Sequence, residues 1–133
     1  MKNNELIKYA IDALNNSYAP YSNYCVGAAL LCENENVYTG CNIENTSFSA
    51  TNCAERTAFF KAISEGDKHF SKIAIVAKNT NGQYEYATPC GVCRQVMSEF
   101  CDDNFVVIVA KNEEEYKEFT LSQLLPQSFS MKT

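Results

Sequence analysis

The chain has 133 residues, 46% of them hydrophobic, and a net charge of −5 from 11 basic and 16 acidic side chains. That is about one domain's length with enough apolar content for a core, which excludes intrinsic disorder. The acidic balance and the lack of a basic run argue against a nucleic-acid polymer as partner, and no stretch nears the roughly 18 apolar residues of a membrane span.

Asn3 to Ser17 sets Leu6, Ile7, Ala10, Ile11 and Leu14 at helical spacing, and the helix is expected to end before Ala19-Pro20. Val26 to Cys32 reads as a buried strand, Glu33 to Asn36 as a turn, and Val37 to Asn42 as the returning strand of a hairpin. After a polar stretch, Cys53 opens a helix whose apolar face carries Ala54, Ala58, Phe59, Ala62 and Ile63, with Gly66 as its stop. Lys72 to Lys78 is a third strand, followed by an Asn81-Gly82 turn. Thr88-Pro89 breaks the chain before a helix over about Val92 to Cys101. Phe105 to Ala110 is an apolar strand and Tyr116 to Phe119 a short edge strand. Thr120 with Gln123 forms a capping box for a short last helix ending at Leu125-Pro126. Helices alternating with buried strands imply one domain over residues 1–133, an α/β sheet covered on both faces.

Seven cysteines, an odd number, suit a disulfide framework poorly. No apolar signal-peptide core opens the chain, so a reducing, cytoplasmic setting is expected, with cysteines used as ligands or redox groups. Two segments stand out, Cys53-Ala54-Glu55 and Pro89-Cys90-Gly91-Val92-Cys93. Together they offer three thiolates to one Zn²⁺, and a catalytic zinc site uses three protein ligands and keeps a position for water. The cysteines fall at helix N-termini, where the helix dipole and free N–H groups stabilise thiolates. Three thiolates with Zn²⁺ total −1, so a cation is expected nearby, and Arg56 and Arg94, the only arginines, each adjoin a ligand segment. Glu55 in the first helical turn is close enough to take a proton from an activated water. The alternatives are a redox pair or a closed structural site, with His69 or a further cysteine as fourth ligand.

Tyr18-Ala-Pro-Tyr-Ser-Asn-Tyr-Cys-Val-Gly-Ala-Ala-Leu, Gly40-Cys-Asn-Ile-Glu-Asn, Cys53-Ala-Glu-Arg-Thr-Ala, Pro89-Cys-Gly-Val-Cys and Leu124-Leu-Pro-Gln-Ser-Phe resemble the small cytidine deaminases. The matches run in that family's order over nearly the whole chain. The resemblance implies a three-layer α/β/α sandwich with a mixed sheet of about five strands. It implies hydrolysis of cytidine and deoxycytidine to uridine and deoxyuridine with release of ammonia, as in pyrimidine salvage, by a cytoplasmic homotetramer.

One zinc per chain is then held by Cys53, Cys90 and Cys93. The resemblance implies that Glu55 receives the water proton and delivers it to ring N3, and that it passes a proton to the departing amino group. Arg56 hydrogen-bonds the ligand thiolates, and Asn42 and Glu44 bind the ribose, Glu44 also the base. The free Ala54 N–H can meet a base carbonyl. Tyr24 stands where the family usually has a Phe that packs on the substrate, and Phe48 where many relatives carry Tyr. Phe129 matches an aromatic that stacks on the base from a neighbouring subunit. Cys25 is expected to pack at a strand entry, and Cys32, Cys41 and Cys101 to act as small core residues. The partners expected are a free pyrimidine nucleoside and further copies of the chain. Two rivals remain: a non-catalytic zinc-stabilised module, and a deaminase for another base derivative such as blasticidin S.

Overall fold

The computed structural model of the chain describes residues 1–132. Its elements are α1 (Asn3–Leu14), β1 (Cys25–Cys32), β2 (Val37–Cys41), α2 (Ala54–Ser64), β3 (Phe70–Lys78), β4 (Tyr84–Glu85), α3 (Gly91–Phe100), β5 (Val106–Ala110), β6 (Tyr116–Thr120) and α4 (Leu121–Leu124). The sheet runs β2-β1-β3-β5-β6, with the two-residue β4 added beside β3. Only β3 and β5 are parallel; the other pairs are antiparallel. This is the expected mixed sheet, with β4 as an unforeseen sixth strand.

Alternation along the strands feeds two cores. Ala29, Leu31, Ala74, Val76 and Ile108 pack under Leu6, Ile7, Ala10 and Leu14 of α1. On the other face Ala28, Leu30, Ile73, Ile75, Val107 and Val109 meet Ala58, Phe59 and Ala62 of α2 and Met97 of α3. Because helices cover both faces, β1 and β3 are apolar on consecutive residues rather than on alternate ones. Cys32 lies in the α2-side core and Cys101 packs against it, while Cys25 packs against the α1-side core. Cys41, expected to be a core residue, is only half-buried at the end of β2.

Element ends follow hydrogen bonds that compete with the helix. α1 stops at Leu14, short of the expected Ser17, because the next residues turn toward a pairing of Tyr18 with Ile43. Tyr18 N donates to Asn42 O at 3.0 Å, and Glu44 N donates to Tyr18 O at 2.8 Å. α2 ends as its sequence suggests. Gly66 adopts φ 100°, its N–H bonds Ile63 O at 3.0 Å, and the Asp67 N–H bonds Ala62 O at 3.0 Å. That pair of bonds is a Schellman motif, which glycine accepts without Cβ strain. The capping box of Thr120 and Gln123 is present on α4. A short 3₁₀ turn at Phe48–Ala50 was not foreseen.

The contact that positions the site lies at Gly40 of β2. A Cβ there would collide with Ala54 O and stand 2.7 Å from Ala58 N, so the first turn of α2 rests directly on the strand backbone. Gly40→Ala is expected to lower stability by about 1–3 kcal/mol, the usual cost of overpacking, measured as a fall in the urea midpoint at constant slope. An unchanged midpoint would show that α2 can lift away from β2 freely.

Candidate metal centre and adjoining cavity

Cys53 and Cys90 occupy the N-cap positions of α2 and α3, and Cys93 sits in the first turn of α3. N-caps usually carry Ser, Thr, Asp or Asn, whose oxygens bond the free N–H groups of the first turn. Here neither cysteine caps its helix through its side chain, and the sulfurs face one another instead. Cys53 Sγ is 3.8 Å from Cys90 Sγ, and Cys90 Sγ is 3.5 Å from Cys93 Sγ. All three cysteines are free thiols. With Zn–S bonds near 2.3 Å, a tetrahedral zinc separates its sulfurs by about 3.8 Å. The cluster therefore fits zinc in donor type and in span. Among the described residues no further Cys, His or carboxylate joins the group, and His69 stays with the loop that precedes β3.

Charge explains the residues around the sulfurs. Arg56 Nη2 donates to Cys53 Sγ at 3.2 Å. Burial alone would lower the Arg56 pKa, but hydrogen bonds to Cys53 and Cys93 outweigh it and hold the guanidinium charged. Its Nε is buried without a partner among the described residues, an arrangement that costs about 1–3 kcal/mol. The guanidinium is thus held for its charge at the sulfurs rather than for full hydrogen bonding. In the metal-free chain a hydrogen bond shared between Cys93 and Cys53 pulls the Cys53 thiol down and pushes the Cys93 thiol up. The two act as one protonated pair, and zinc would replace that shared proton.

Arg94, the other arginine beside a ligand segment, is bonded to main-chain carbonyls instead of the sulfurs. Its Nε donates to Pro89 O at 2.7 Å and its Nη1 to Leu124 O at 2.6 Å. The side chain clasps two main-chain carbonyls, one ahead of α3 and one in α4, so Arg56 alone answers the thiolate charge.

A cavity of about 220 Å³ opens beside the sulfurs and brings Tyr24, Asn42, Ala54 and Glu55 together with Cys53 and Cys90. Glu55 is 5% exposed. Burial pushes its carboxyl up from an ordinary value near 4.5 to about 7, and the Cys53 charge adds to the rise. Ionising it therefore opposes folding of the metal-free chain, increasingly as pH climbs from about 4.5 through 7. The Ala54 N–H, at the first position of α2, has no partner within the helix. Asn42 bridges two strands, its Oδ1 accepting from Val26 N at 2.9 Å and its Nδ2 donating to Tyr24 O at 2.7 Å. One amide proton and one lone pair stay available for a ligand. Burial, then the carboxylate of Glu85 on β4, pushes the Tyr24 hydroxyl up to about 12.

Three expected site residues stand apart from this cavity. Glu44 and Phe48 line a neighbouring hollow of about 330 Å³ with Tyr21 and Ser22, and Thr51 borders both spaces. Glu44 accepts from Tyr21 N at 3.0 Å, from Ser22 N at 3.1 Å and from the Ser22 hydroxyl. The Ser22 bond leads in holding the Glu44 carboxyl below its usual range. Phe129 lies on the C-terminal tail, 72% exposed, and Phe48 is 78% exposed. Sequence reasoning missed Asn52 and Thr88, which line the metal-side cavity. It also missed Thr57, whose Oγ1 accepts from Asn52 Nδ2 at 3.1 Å and lies 3.1 Å from Cys41 O. A hydroxyl four residues after an N-cap cysteine was the available signal.

Comparison with known proteins agrees with this geometry. Residues 1–109 match the family model described as the cytidine and deoxycytidylate deaminase zinc-binding region. The chain is 48% identical to a cytidine deaminase of Sporosarcina psychrophila over 95% of its own length and 90% of the relative's. It is 47% identical to one of Halalkalibacterium halodurans, over 94% and 92%. The crystal structure of cytidine deaminase from Burkholderia pseudomallei superposes with a TM-score of 0.88 at 39% identity, covering 97% of this chain and all of that one.

Arg56→Ala is expected to weaken zinc retention by about 10–100-fold, as loss of a group that supports metal ligands usually does, measured by competition with a colorimetric chelator. Retention equal to wild type would mean that the thiolate charge is balanced elsewhere.

Proposed function

Because the chain belongs to the cytidine and deoxycytidylate deaminase family, we propose that its own residues carry out zinc-dependent hydrolytic deamination of free cytidine and deoxycytidine in this cavity. The products are uridine or deoxyuridine and ammonia. One observation carries the reading: a buried Glu55 shares a cavity with two of three cysteines whose sulfurs are spaced for zinc.

Cys53, Cys90 and Cys93 would hold zinc, a Lewis acid that would bring the pKa of water down to about 7. Glu55 is placed to receive a proton from the attacking water. A buried carboxyl beside the sulfurs is placed both to take and to give a proton there. Glu55 then protonates ring N3, which makes C4 electrophilic to the water oxygen, takes the second water proton from the C4 hydroxyl so formed, and delivers it to the amino group, which leaves as ammonia when its bond to C4 breaks. The Ala54 N–H donates to the base carbonyl and orients the ring. Arg56 holds the Cys53 thiolate charged and in place.

The sugar has a second set of groups. The metal-side cavity, at about 220 Å³, is smaller than the roughly 300 Å³ at which small-molecule pockets begin. With the base inside it, the ribose extends past Asn42 toward Glu44 in the adjoining hollow. The spare N–H and lone pair of Asn42 and the Glu44 carboxylate then grip the 3′-hydroxyl. Tyr24 closes one wall. The acidic chain and an acidic sugar site favour nucleosides over nucleotides.

Exposed apolar side chains support a homotetramer. Tyr21 and Phe48 are 51% and 78% exposed with their rings 6.4 Å apart, and Phe129 is 72% exposed, apolar surface that further copies of the chain would cover. In the assembled enzyme Phe129 completes the pocket of a neighbouring subunit. A cytoplasmic location suits the free thiols, and no helix among the described residues is long and apolar enough to cross a membrane.

Glu55→Ala is expected to keep one zinc per chain while turnover falls by about 10²–10⁴-fold, followed by the ultraviolet change from cytidine to uridine. Wild-type turnover in that variant would remove Glu55 from the proton path. Mixing Phe129→Ala chains with Glu55→Ala chains is expected to recover activity above either parent through hybrid pockets. No recovery despite demonstrated subunit exchange would count against sharing of the site.

A further inference from the structure

The helix that supplies Cys90 and Cys93 also holds the C-terminal tail. Arg94 Nη1 donates to Leu124 O at 2.6 Å, and Gln127, at φ 54°, then reverses the chain. Gln95 Nε2 donates to the main-chain carbonyl of Phe129 at 3.1 Å. Lys132 Nζ donates to Ser98 O at 2.6 Å. Ser98 belongs to the last turn of α3, whose carbonyls lack helical donors and whose negative pole attracts a cation. Gln95 and Ser98 share one helix face, and Ser98 Oγ donates to Gln95 O at 2.8 Å. Side chains along the tail alternate. Ser128, Ser130 and Lys132 line a cavity of about 250 Å³ against α3 and α4, while Phe129 and Met131 are 72% and 85% exposed.

We propose that Gln95 is a positioning residue for the deaminase reaction, acting through the Phe129 carbonyl to fix the ring that a neighbouring subunit's pocket receives. The proposal rests on the reading of Phe129 in the preceding subsection and adds the element that aims it. A terminal segment without ties frays, and its ordering entropy would then fall on substrate binding. The Gln95 bond is made to the main chain of Phe129 itself, so it constrains the ring's origin without covering the ring. Gln95 has no other hydrogen bond among the described residues through its amide, and it is exposed. Cys93 lies two residues earlier on the same helix, so α3 ties one subunit's metal centre to the side chain it lends.

The test compares cytidine KM and kcat for the zinc-loaded enzyme and for Phe129→Ala, Gln95→Ala, Gln95→Glu, Gln95→Lys and the Gln95→Ala/Phe129→Ala pair. Gln95→Ala is expected to raise KM roughly three- to tenfold, the effect of one lost neutral hydrogen bond, with a smaller change in kcat. Gln95→Glu, close in size but without the donor, is expected to match it, and Gln95→Lys to recover most of the loss. In the double variant Gln95→Ala is expected to add nothing beyond Phe129→Ala. Faster hydrogen exchange across residues 128–132 at constant zinc content would accompany the KM rise. A KM within twofold of wild type in both Gln95→Ala and Gln95→Glu, alongside a raised KM in Phe129→Ala, would overturn the Gln95 assignment alone. An additive double variant would overturn it as well. A wild-type KM in Phe129→Ala would instead overturn the shared-pocket reading on which it rests.

Discussion

Mutual repulsion among crowded thiolates is the constraint from which the rest of this chain's design follows. At about 4 Å and an effective dielectric near 20, two unit charges repel by about 4 kcal/mol. The sulfurs of Cys53, Cys90 and Cys93 lie at such spacings without a bond between them. Two helix N-termini aimed at one point offset part of that repulsion with dipoles, and Arg56 offsets more with a full charge. In the metal-free chain a shared proton does the remainder, which is why Cys53 and Cys93 shift in opposite directions. Three thiolates holding Zn²⁺ would total −1, which the Arg56 charge would bring to neutrality.

Holding two helix ends together needs a stiff support. β3 and β5 run parallel with α3 in the connection between them, so α3 starts near the carboxyl end of β3. From Ile73 to Ala77 and from Val107 to Ala110 the parallel pair is buried on both faces, and these residues are branched aliphatic or alanine. α2 reaches the same place from the other side because Gly40 lets it rest on β2. Small residues on α2, Ala54, Ala58 and Ala62, are all fully buried. Close packing here acts as a ruler: the helices cannot slide without opening voids that the core would register.

The same economy of contacts governs the cavity. Asn42 is both a tie between β1 and β2 and a candidate sugar ligand, so the groups that stiffen the wall also offer the spare hydrogen-bonding sites. Glu44 organises the Tyr21–Ser22 turn with both carboxylate oxygens. Arg94 stitches α3 to α4 rather than serving the sulfurs. Rigid, pre-satisfied surroundings leave less entropy to be lost when a ligand binds.

Local chemistry was legible in the linear chain. The capping box at Thr120, the Gly66 stop and the apolar strands all depend on neighbours within a few residues, and all appear in the fold, as does the grouping of Cys53 with Cys90 and Cys93. What escaped depended on partners distant in sequence. The end of α1 at Leu14 was decided by main-chain bonds between Tyr18 and residues 42–44. The short β4 exists because β3 offers an edge to Tyr84 and Glu85. Which of two similarly placed arginines faces the thiolates was decided by where unpaired carbonyls lay, since Pro89 and Leu124 capture Arg94. Glu44 and Glu55 look like neighbours in one motif set, yet they line different hollows that meet at Thr51. Spacing along a chain specifies the chemistry of each group, but only the packing of β2 against α2 and of α3 against the sheet sets which groups share a space.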